Sequence, residues 1–270
     1  MSPLEVIASI AAVAALLCWL LAELSGEHSW VDRLWSILPV IYVGWLAVAG
    51  GPGDPRLLTM AILVALWGGR LTFNFARKGG YRPGGEDYRW AELRARMSPL
   101  RFRAFNLVFI AGLQNALLLL LALPAYYAWI GRAAPFGAVD AAASLLMLGF
   151  LVGETIADEQ QWRFHQEKRA RSERGEAGPR FLTTGLFARV RHPNFLCEMA
   201  IWWSFYLFSV GAVAGWLNPA IVGPLLLTAL FQGSTAFTEE LSLRKYPEYA
   251  EYQRSTPRLL PRPRRRAERP

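Results

Sequence analysis

Seven long apolar stretches alternate with short polar or basic ones along the 270-residue chain. Each is close to the roughly 20 residues that a helix needs to cross a bilayer core. The stretches are too long and too uniformly apolar to be the alternating strands of a barrel, so they predict transmembrane α-helices. The predicted spans are residues 1–24, 30–50, 57–76, 105–129, 136–154, 195–216 and 219–237.

This pattern predicts an all-α, polytopic membrane bundle of about seven helices. The bundle covers residues 1–243, and residues 244–270 form a basic cytoplasmic tail. The first stretch has no basic residues before its apolar part and no clear small-residue cleavage site, so we interpret it as a retained span and not as a signal peptide.

The positive charges indicate how the bundle is oriented. Of the 29 Lys and Arg residues, eight lie in residues 77–103, eight in 163–191 and nine in 244–269. Seven spans place all three clusters on one side of the membrane, which the positive-inside rule makes the cytoplasmic side. We therefore expect an integral protein of a bacterial inner membrane, with its N-terminus outside and its C-terminus in the cytoplasm. The net charge of +8 then reflects topology, and no nucleic-acid partner is expected.

Cysteine and histidine offer little chemistry of their own. Cys18 and Cys197 are far apart, and the three histidines lack the spacing of metal ligands, so we expect neither a disulfide framework nor a metal site. Sequence motifs for phosphate loops, serine hydrolases and zinc proteases are also missing.

Polar residues cluster at one depth of the predicted bundle. Glu154 and Asp158 are four residues apart, which places them on one helix face. Ionisable groups in spans are costly and mark functional sites by default, although polar contacts between helices are the plain alternative. The residues near the cytoplasmic ends of three helices are Asp158, Arg163, His192, Asn194, Glu198 and Glu239. This grouping favours one polar chamber that is open to the cytoplasm.

The loop of residues 77–85 reads RKGGYRPGG and is both basic and glycine-rich. Its backbone amides and arginines are of a type that holds phosphates, while positive-inside charge on a flexible turn is the alternative. Together with the basic residues of 163–191, the loop suits a ligand that has an anionic head and acts on a molecule dissolved in the bilayer.

Several motifs resemble one membrane superfamily. GLFARVRHPNFLCE at 185–198, Glu239-Glu240 and KYPEYAEYQRSTPRLLP at 245–261 resemble the C-terminal half of the steroid 5α-reductases. Over nearly the whole chain the sequence resembles the DUF1295 branch of bacterial membrane proteins. That resemblance includes DRLWS at 32–36, NFARKGGY at 74–81, EDYRW at 86–90, ADEQQWRF at 157–164 and FQGST at 231–235.

The resemblance implies a seven-helix bundle that holds NADPH on its cytoplasmic side. Such a protein transfers hydride to an enone carbon of a lipid-soluble substrate, either steroid-like or isoprenoid-like. Motif matching assigns cofactor contacts to Asn194, Phe195 and Glu198, to the pair Glu154 and Asp158, to Arg180, and to the region of Arg70, Lys78 and Arg82. The predicted cofactor set is completed by Arg163, Arg191, His192 and Glu239.

The catalytic residues depart from the reductase pattern. The reductases polarise the substrate carbonyl with a Glu on the second helix and a Tyr on the third. Here the second span has no Glu, and Trp67 occupies the position of the Tyr. Hydride addition still requires a donor at the oxygen that becomes an enolate. The candidates are Asp32, if protonated, Tyr42 and Tyr81.

Two other classes of function compete with the reductase. The isoprenylcysteine carboxyl methyltransferases and phospholipid methyltransferases share the Arg-His-Pro turn and the Glu-Glu pair, and their cofactor is S-adenosylmethionine. A non-enzymatic transporter or scaffold is the third class. The 16 Lys and Arg residues of the two cytoplasmic loops favour NADPH, because its three phosphates require more cations than a sulfonium does. Substrate identity and oligomeric state stay open.

Overall fold

The computed structural model describes residues 1–261, and every regular element in that part of the chain is helical. Within residues 1–261, seven stretches are long and apolar enough to cross a membrane. They are Pro3–Ser25, Trp30–Gly50, Pro55–Arg77, Pro99–Ile130, Ala138–Glu173, Pro193–Val213 and Pro219–Lys245. The predicted all-α architecture with seven spans is therefore confirmed.

The first half of the chain contains α1 (Pro3–Ser25), α2 (Trp30–Leu34), α3 (Leu38–Gly50), α4 (Pro55–Arg77), α5 (Tyr88–Ala95), α6 (Pro99–Phe105), a π-helical segment (Asn106–Leu113) and α7 (Gln114–Ile130). The second half contains α8 (Ala138–Glu173), a 3₁₀ turn (Gly185–Ala188), α9 (Pro193–Val213), a second 3₁₀ turn (Pro219–Ile221), α10 (Val222–Lys245) and α11 (Tyr249–Ser255).

Local sequence explains where the first helices begin and end. Ser2 and Glu5 form a reciprocal capping box at the start of α1, and Gly26 ends that helix with a φ of 71°. Asp54 caps α4 by accepting a hydrogen bond from Leu57 N at 2.9 Å. These caps satisfy backbone groups that the helix itself leaves unpaired, so the connections between spans can be short.

The second and fifth spans differ from the simple prediction. The second is interrupted between α2 and α3, where Pro39 lies in the first turn of α3. The fifth continues to Glu173, well past the predicted end at residue 154. Its polar extension carries ion pairs four residues apart, such as Arg163 with Glu159 at 2.7 Å, which support a helix in water. Hydropathy detects where the membrane ends, whereas the helix continues beyond that point.

The chain forms two compact units, and the borders between them fall within α8, α9 and α10. Unit 1 comprises residues 1–148 and 201–228, and unit 2 comprises, among the described residues, 149–200 and 229–261. In unit 1 the rings of Trp67 and Trp202 are both fully buried and meet edge-to-face at 4.9 Å. Aromatic contacts of this kind add to the burial of apolar area.

A buried ion pair in unit 1 was not anticipated from the sequence. Arg56 is 1% exposed, and its Nε and Nη2 donate to the Asp140 carboxylate at 2.7 and 2.9 Å. Its Nη1 and Nη2 also donate to the carbonyls of Ala134 and Pro135. A buried charge is tolerated only when it is paired and hydrogen-bonded. Arg56 meets this condition through Asp140 and the two carbonyls, and its bonds to those carbonyls hold the loop before α8 in place.

The beginning of the predicted tail is folded within unit 2. It includes the end of α10 and all of α11, and Tyr249, Tyr252 and Leu259 are buried. The remainder of that predicted tail, residues 262–270, lies outside the described residues. A domain border at residue 243 stays a prediction.

Candidate functional site

The Glu239 carboxylate is the centre of a buried polar network in unit 2. Arg191 donates to it twice, from Nε to Oε1 at 2.6 Å and from Nη2 to Oε2 at 2.9 Å. His192 Nε2 lies 2.9 Å from Oε1, and Gln253 Nε2 donates to Oε2 at 3.1 Å. Glu239 is 4% exposed. A carboxylate with this many donors is fixed in position, because each hydrogen bond restricts where its oxygens can lie.

Arg191 also fastens the C-terminal segment, residues 253–258. Its Nη1 donates to the carbonyls of Gln253 and Thr256. The backbone amides of Arg191 and His192 donate to the carbonyls of Pro257 and Arg258 at 2.9 and 3.1 Å. Four of the five guanidinium N–H groups are thereby used inside the protein. The predicted cofactor contacts of Arg191, His192 and Glu239 stay predictions, and the described contacts give these residues a positioning role.

The turn before α9 is shaped by close packing in unit 2. Gly185 has a φ of 63°, and a Cβ there would lie 2.4 Å from Gln160 Oε1. The same oxygen accepts a hydrogen bond from Leu186 N at 2.9 Å. Only glycine fits both the backbone angle and the space. The Tyr252 hydroxyl donates to the Phe187 carbonyl, so the turn is also tied to α11.

Three buried carboxyl groups lie on α8 and α9 within unit 2. Glu154, Asp158 and Glu198 are 4%, 5% and 5% exposed. The two helices approach closely beside them, since a Cβ on Gly153 would lie 3.1 Å from Cys197 Sγ. The neighbouring predicted residues Asn194 and Phe195 are half-buried, and the Phe195 ring meets Phe231 edge-to-face at 4.7 Å. Carboxylates in such surroundings can accept hydrogen bonds from ligand hydroxyls or face a ligand cation.

Two of the predicted basic residues of unit 2, Arg163 and Arg180, lie at its surface. The side chain of Arg163 is 73% exposed and pairs with Glu159, and that of Arg180 is 61% exposed and lies 3.3 Å from Glu248. Nearby, Lys168 donates to the Tyr246 hydroxyl at 3.0 Å, and this bond lowers the pKa of Tyr246. These cations face water and suit contact with a ligand's phosphates better than a role inside the bundle.

The glycine-rich loop of unit 1 uses its backbone amides internally. The amides of Gly79, Gly80 and Gly85 donate to carbonyls of the same loop or of α4. Gly84 N donates to Glu27 Oε1 at 2.7 Å. These four amides are therefore not available to a phosphate, which corrects the expectation drawn from the glycines. What the loop offers to an anion is side chains. Of the predicted residues, Lys78 and Arg82 are exposed and Arg70 is half-buried.

Two of the three predicted proton donors are already hydrogen-bonded within unit 1. Asp32 Oδ2 accepts from Trp90 Nε1 at 2.8 Å. The Tyr81 hydroxyl donates to the Arg33 carbonyl at 3.2 Å, and Tyr81 is 39% exposed. Both residues therefore help to hold the 78–95 region against α2.

Tyr42 differs from the other two candidates. It is fully buried, and its hydroxyl has no hydrogen-bond partner among residues 1–261. Leaving a buried hydroxyl without a partner costs about 1–3 kcal/mol, so the position calls for an explanation. Cys18 lies near both Tyr42 and the side chain of Asn115. Asn115 Oδ1 is likewise buried without a partner in the described residues.

The sequence analysis assigned no site to Asn115 or to Asn106, both of which lie in the fourth span. Asn106 is 1% exposed, and its Nδ2 has no partner within residues 1–261. The signal was the presence of amides in an apolar helix. No group of three or more His, Cys, Asp or Glu side chains suited to a metal ion occurs in the described part of the chain.

The seven candidate spans, with buried polar groups inside each unit, define a polytopic α-helical membrane protein. The chain belongs to the family described as "Protein of unknown function (DUF1295)", whose model matches residues 18–256. This confirms the family that the motifs indicated.

One curated relative is an uncharacterised protein, C594.04c, from the yeast Schizosaccharomyces pombe. It is 39% identical over 259 residues, which cover 90% of this chain and 75% of the relative. A yeast relative means that the family is not confined to bacteria, so the expectation of a bacterial inner membrane has no support. No solved structure matches the chain.

Proposed function

We propose that this protein is a membrane-embedded, NADPH-dependent reductase that adds hydride to the C=C bond of a lipid-soluble enone. The observation that carries the proposal is the Tyr42 hydroxyl, which is fully buried and has no partner in the described residues. Its retention in an apolar interior is explained if it donates a hydrogen bond to an oxygen of the substrate. Asp32 and Tyr81 are poorer candidates, because Asp32 Oδ2 already accepts from Trp90 Nε1 and the Tyr81 hydroxyl already donates to the Arg33 carbonyl.

The chemistry of the reaction explains why a donor is needed there. When hydride adds to an enone, negative charge develops on the carbonyl oxygen. A fixed donor in dry surroundings stabilises that charge more than it stabilises the neutral carbonyl, which is the condition for catalysis. Transfer of a methyl group from a sulfonium to a carboxylate removes charge from the oxygen instead. A donor aimed at that oxygen would stabilise the reactants, so Tyr42 favours the reductase over the methyltransferase.

The side chains present fit NADPH by chemical type. Within unit 2 the exposed cations Arg163 and Arg180 suit its phosphates. The buried carboxyls Glu154, Asp158 and Glu198 of the same unit suit its ribose hydroxyls, and Asn194 and Phe195 are further contacts proposed there. The contacts predicted for Arg70, Lys78 and Arg82 rest on the motif resemblance alone. When bound, NADPH supplies the hydride. Arg191, His192 and Glu239 position the start of α9, and a direct contact with the cofactor is part of the proposal.

The orientation of the chain belongs to the same proposal. A cytoplasmic C-terminus puts the basic segments 77–103 and 163–191 on the side where a soluble dinucleotide is found. The substrate then enters from the lipid, since the reaction proposed for Tyr42 takes place inside the bundle.

An S-adenosylmethionine-dependent methyltransferase is the second candidate. The observation that favours it is the set of three buried carboxyls on α8 and α9, because carboxylates also suit a cationic sulfonium. A methyltransferase, however, does not explain why the buried Tyr42 hydroxyl has no hydrogen-bond partner in the described residues.

Ligand-induced stabilisation separates these functions. We expect NADPH to raise the unfolding temperature of the detergent-purified protein, because a ligand that binds only the native state stabilises it. S-adenosylmethionine should have no effect, and NADH should have less effect than NADPH. Stabilisation by S-adenosylmethionine alone would overturn the reductase proposal, and a response to none of the three would favour a non-enzymatic protein.

Tyr42→Phe tests whether the Tyr42 hydroxyl donates to the substrate oxygen, with a lipid-soluble enone that the protein reduces as the substrate. We expect the rate constant kcat to fall by about 10²–10³-fold, as with loss of one oxyanion donor. Stabilisation by NADPH should be unchanged. The matched control is Tyr126→Phe, on α7 and half-buried, which should leave kcat as it is. An unchanged kcat in Tyr42→Phe would remove Tyr42 from the mechanism.

A further inference from the structure

The π-helical segment of the fourth span changes which side chains share a face. Asn106 and Asn115 are nine residues apart, which in a regular α-helix places them about half a turn apart. A π-helix has bonds between residues five apart and thus roughly 4.4 residues per turn, so the same spacing becomes about two whole turns. Accordingly, both residues are 1% exposed, and the π-helical segment covers most of the chain between them. It therefore turns both amides toward the interior of unit 1.

Each amide has an atom without a partner in the described residues. Asn115 Nδ2 donates to the Ala111 carbonyl at 2.8 Å, which orients the amide, and Oδ1 has no hydrogen-bond partner among those residues. Asn106 has its Nδ2 left over. Together with the Tyr42 hydroxyl, these are three polar groups of unit 1 with buried atoms that lack a partner within residues 1–261, and Trp129 Nε1 is another such atom in the same unit. π-Helical segments occur frequently at functional sites, and buried polar groups without a partner require an explanation, which a bound ligand would supply.

The types of these atoms restrict the ligand. An amide oxygen only accepts hydrogen bonds, so its ligand must present an O–H or N–H group. A carbonyl alone, such as that of a simple enone, cannot satisfy it. The Asn106 amide nitrogen only donates, and it lies about two helical turns away along the same face, so it requires a further oxygen.

We propose that Asn115 and Asn106 are specificity-determining residues that bind a lipid-soluble substrate with a hydroxyl group in addition to its carbonyl. Asn115 Oδ1 accepts the hydrogen bond of that hydroxyl, and Asn106 Nδ2 donates to another oxygen of the same elongated molecule. The inference deepens the proposed reductase and rests on it for the identity of this site as the substrate site.

Matched alcohols and methyl ethers test the proposal, because methylation removes the donor and keeps the oxygen. The probes are testosterone and its methyl ether, which also carry an enone carbonyl, and geranylgeraniol and its methyl ether, which test the hydroxyl alone. Each is added to detergent-purified protein with and without NADPH. We expect at least one alcohol to bind roughly tenfold or more tightly than its ether, measured as thermal stabilisation against probe concentration. Asn115→Leu should abolish this preference. Thr59→Val should keep it, because the Thr59 hydroxyl is already bonded to the Pro55 carbonyl at 2.7 Å.

The comparison of alcohol with methyl ether on the wild-type protein tests the hydroxyl site even if Asn115→Leu fails to fold. Equal binding of alcohol and ether in both pairs, or no binding of any probe, overturns the hydroxyl site. If NADPH still stabilises the protein in that case, the reductase proposal survives. If the alcohols are preferred but NADPH has no effect, the reductase proposal fails and the hydroxyl site stands. A preference that persists in folded Asn115→Leu removes Asn115 from the site.

Discussion

Replacing Arg191 with methionine removes the cation from the network around Glu239 and leaves a side chain of similar length. In the native protein both partners are almost fully buried, with side chains 8% and 6% exposed. The Nε–Oε1 and Nη2–Oε2 distances of 2.6 and 2.9 Å describe a bidentate pair. Such a pair is geometrically specific and charge-assisted. Removing Arg191 therefore also deprives Glu239 of two strong hydrogen bonds.

The expected destabilisation is about 3–5 kcal/mol, the cost of leaving one partner of a buried pair unpaired. The carbonyls of Gln253 and Thr256 lose their donor at the same time, which loosens the C-terminal segment 253–258. If the unpaired carboxylate is the main cost, replacing Glu239 with leucine as well should recover part of the loss, because an apolar pair of similar volume is often tolerated.

Equilibrium unfolding in detergent measures the free energies of the two variants, and limited proteolysis reports on the segment 253–258. The matched control is Arg163→Gln, which breaks the Glu159 pair at a site 73% exposed. Exposed pairs contribute little, so the control should change stability by less than about 1 kcal/mol.

Two results would refute this reasoning. One is a free energy of unfolding for Arg191→Met that stays within about 1 kcal/mol of wild type, which would mean that the charge was not buried as described. The other is a double variant whose loss equals the sum of the two single losses, since independent effects add whereas residues in contact do not.

Two further predictions concern unit 1. Burial and the neighbouring Arg94 guanidinium lower the pKa of His28. Stability should therefore be fully present above about pH 6.5, the ordinary value for histidine, and should fall as the pH drops toward the lowered pKa, because the unfolded chain binds the proton first. His28→Gln should remove this part of the pH dependence of the unfolding midpoint, and an identical profile would show that His28 does not titrate on unfolding. At a helix contact, Gly68→Ala should cost about 1–3 kcal/mol, since a Cβ there would lie 2.6 Å from the Ser36 carbonyl oxygen. Gly69→Ala meets nothing within 4 Å and should be neutral or stabilising by up to about 1 kcal/mol, so equal unfolding temperatures for the two variants would contradict the close approach.

The fold was accessible from the sequence because the bilayer imposes a simple rule on composition. An apolar stretch of about 20 residues must be a helix in lipid, whatever its neighbours are. The fifth helix shows where that rule stops. Residues beyond 154 are polar, and their helix depends on pairs such as Arg163 with Glu159, which hydropathy does not record.

The candidate site was only partly accessible. The buried carboxyls Glu154, Asp158 and Glu198 could be selected, because a charge in an apolar helix is costly and conspicuous. The relation between Asn106 and Asn115 could not, since it depends on a π-helical winding that places residues nine apart on one face. Choosing Tyr42 over Asp32 and Tyr81 likewise required knowing which polar atoms were already bonded.

By itself, the sequence determined that this is a membrane protein with seven candidate spans in the described residues, that its basic segments are grouped, and that it belongs to the DUF1295 family. These properties depend on local composition and on motifs that are contiguous in the chain. Only the tertiary structure decided that Arg191 is bonded to Glu239 and to the C-terminal segment, and that the loop amides are used internally. It also decided that the Tyr42 hydroxyl has no hydrogen-bond partner among residues 1–261. Hydrogen bonding is a matter of which groups meet in space, and residues that are distant in sequence reveal their partners only once the helices are packed.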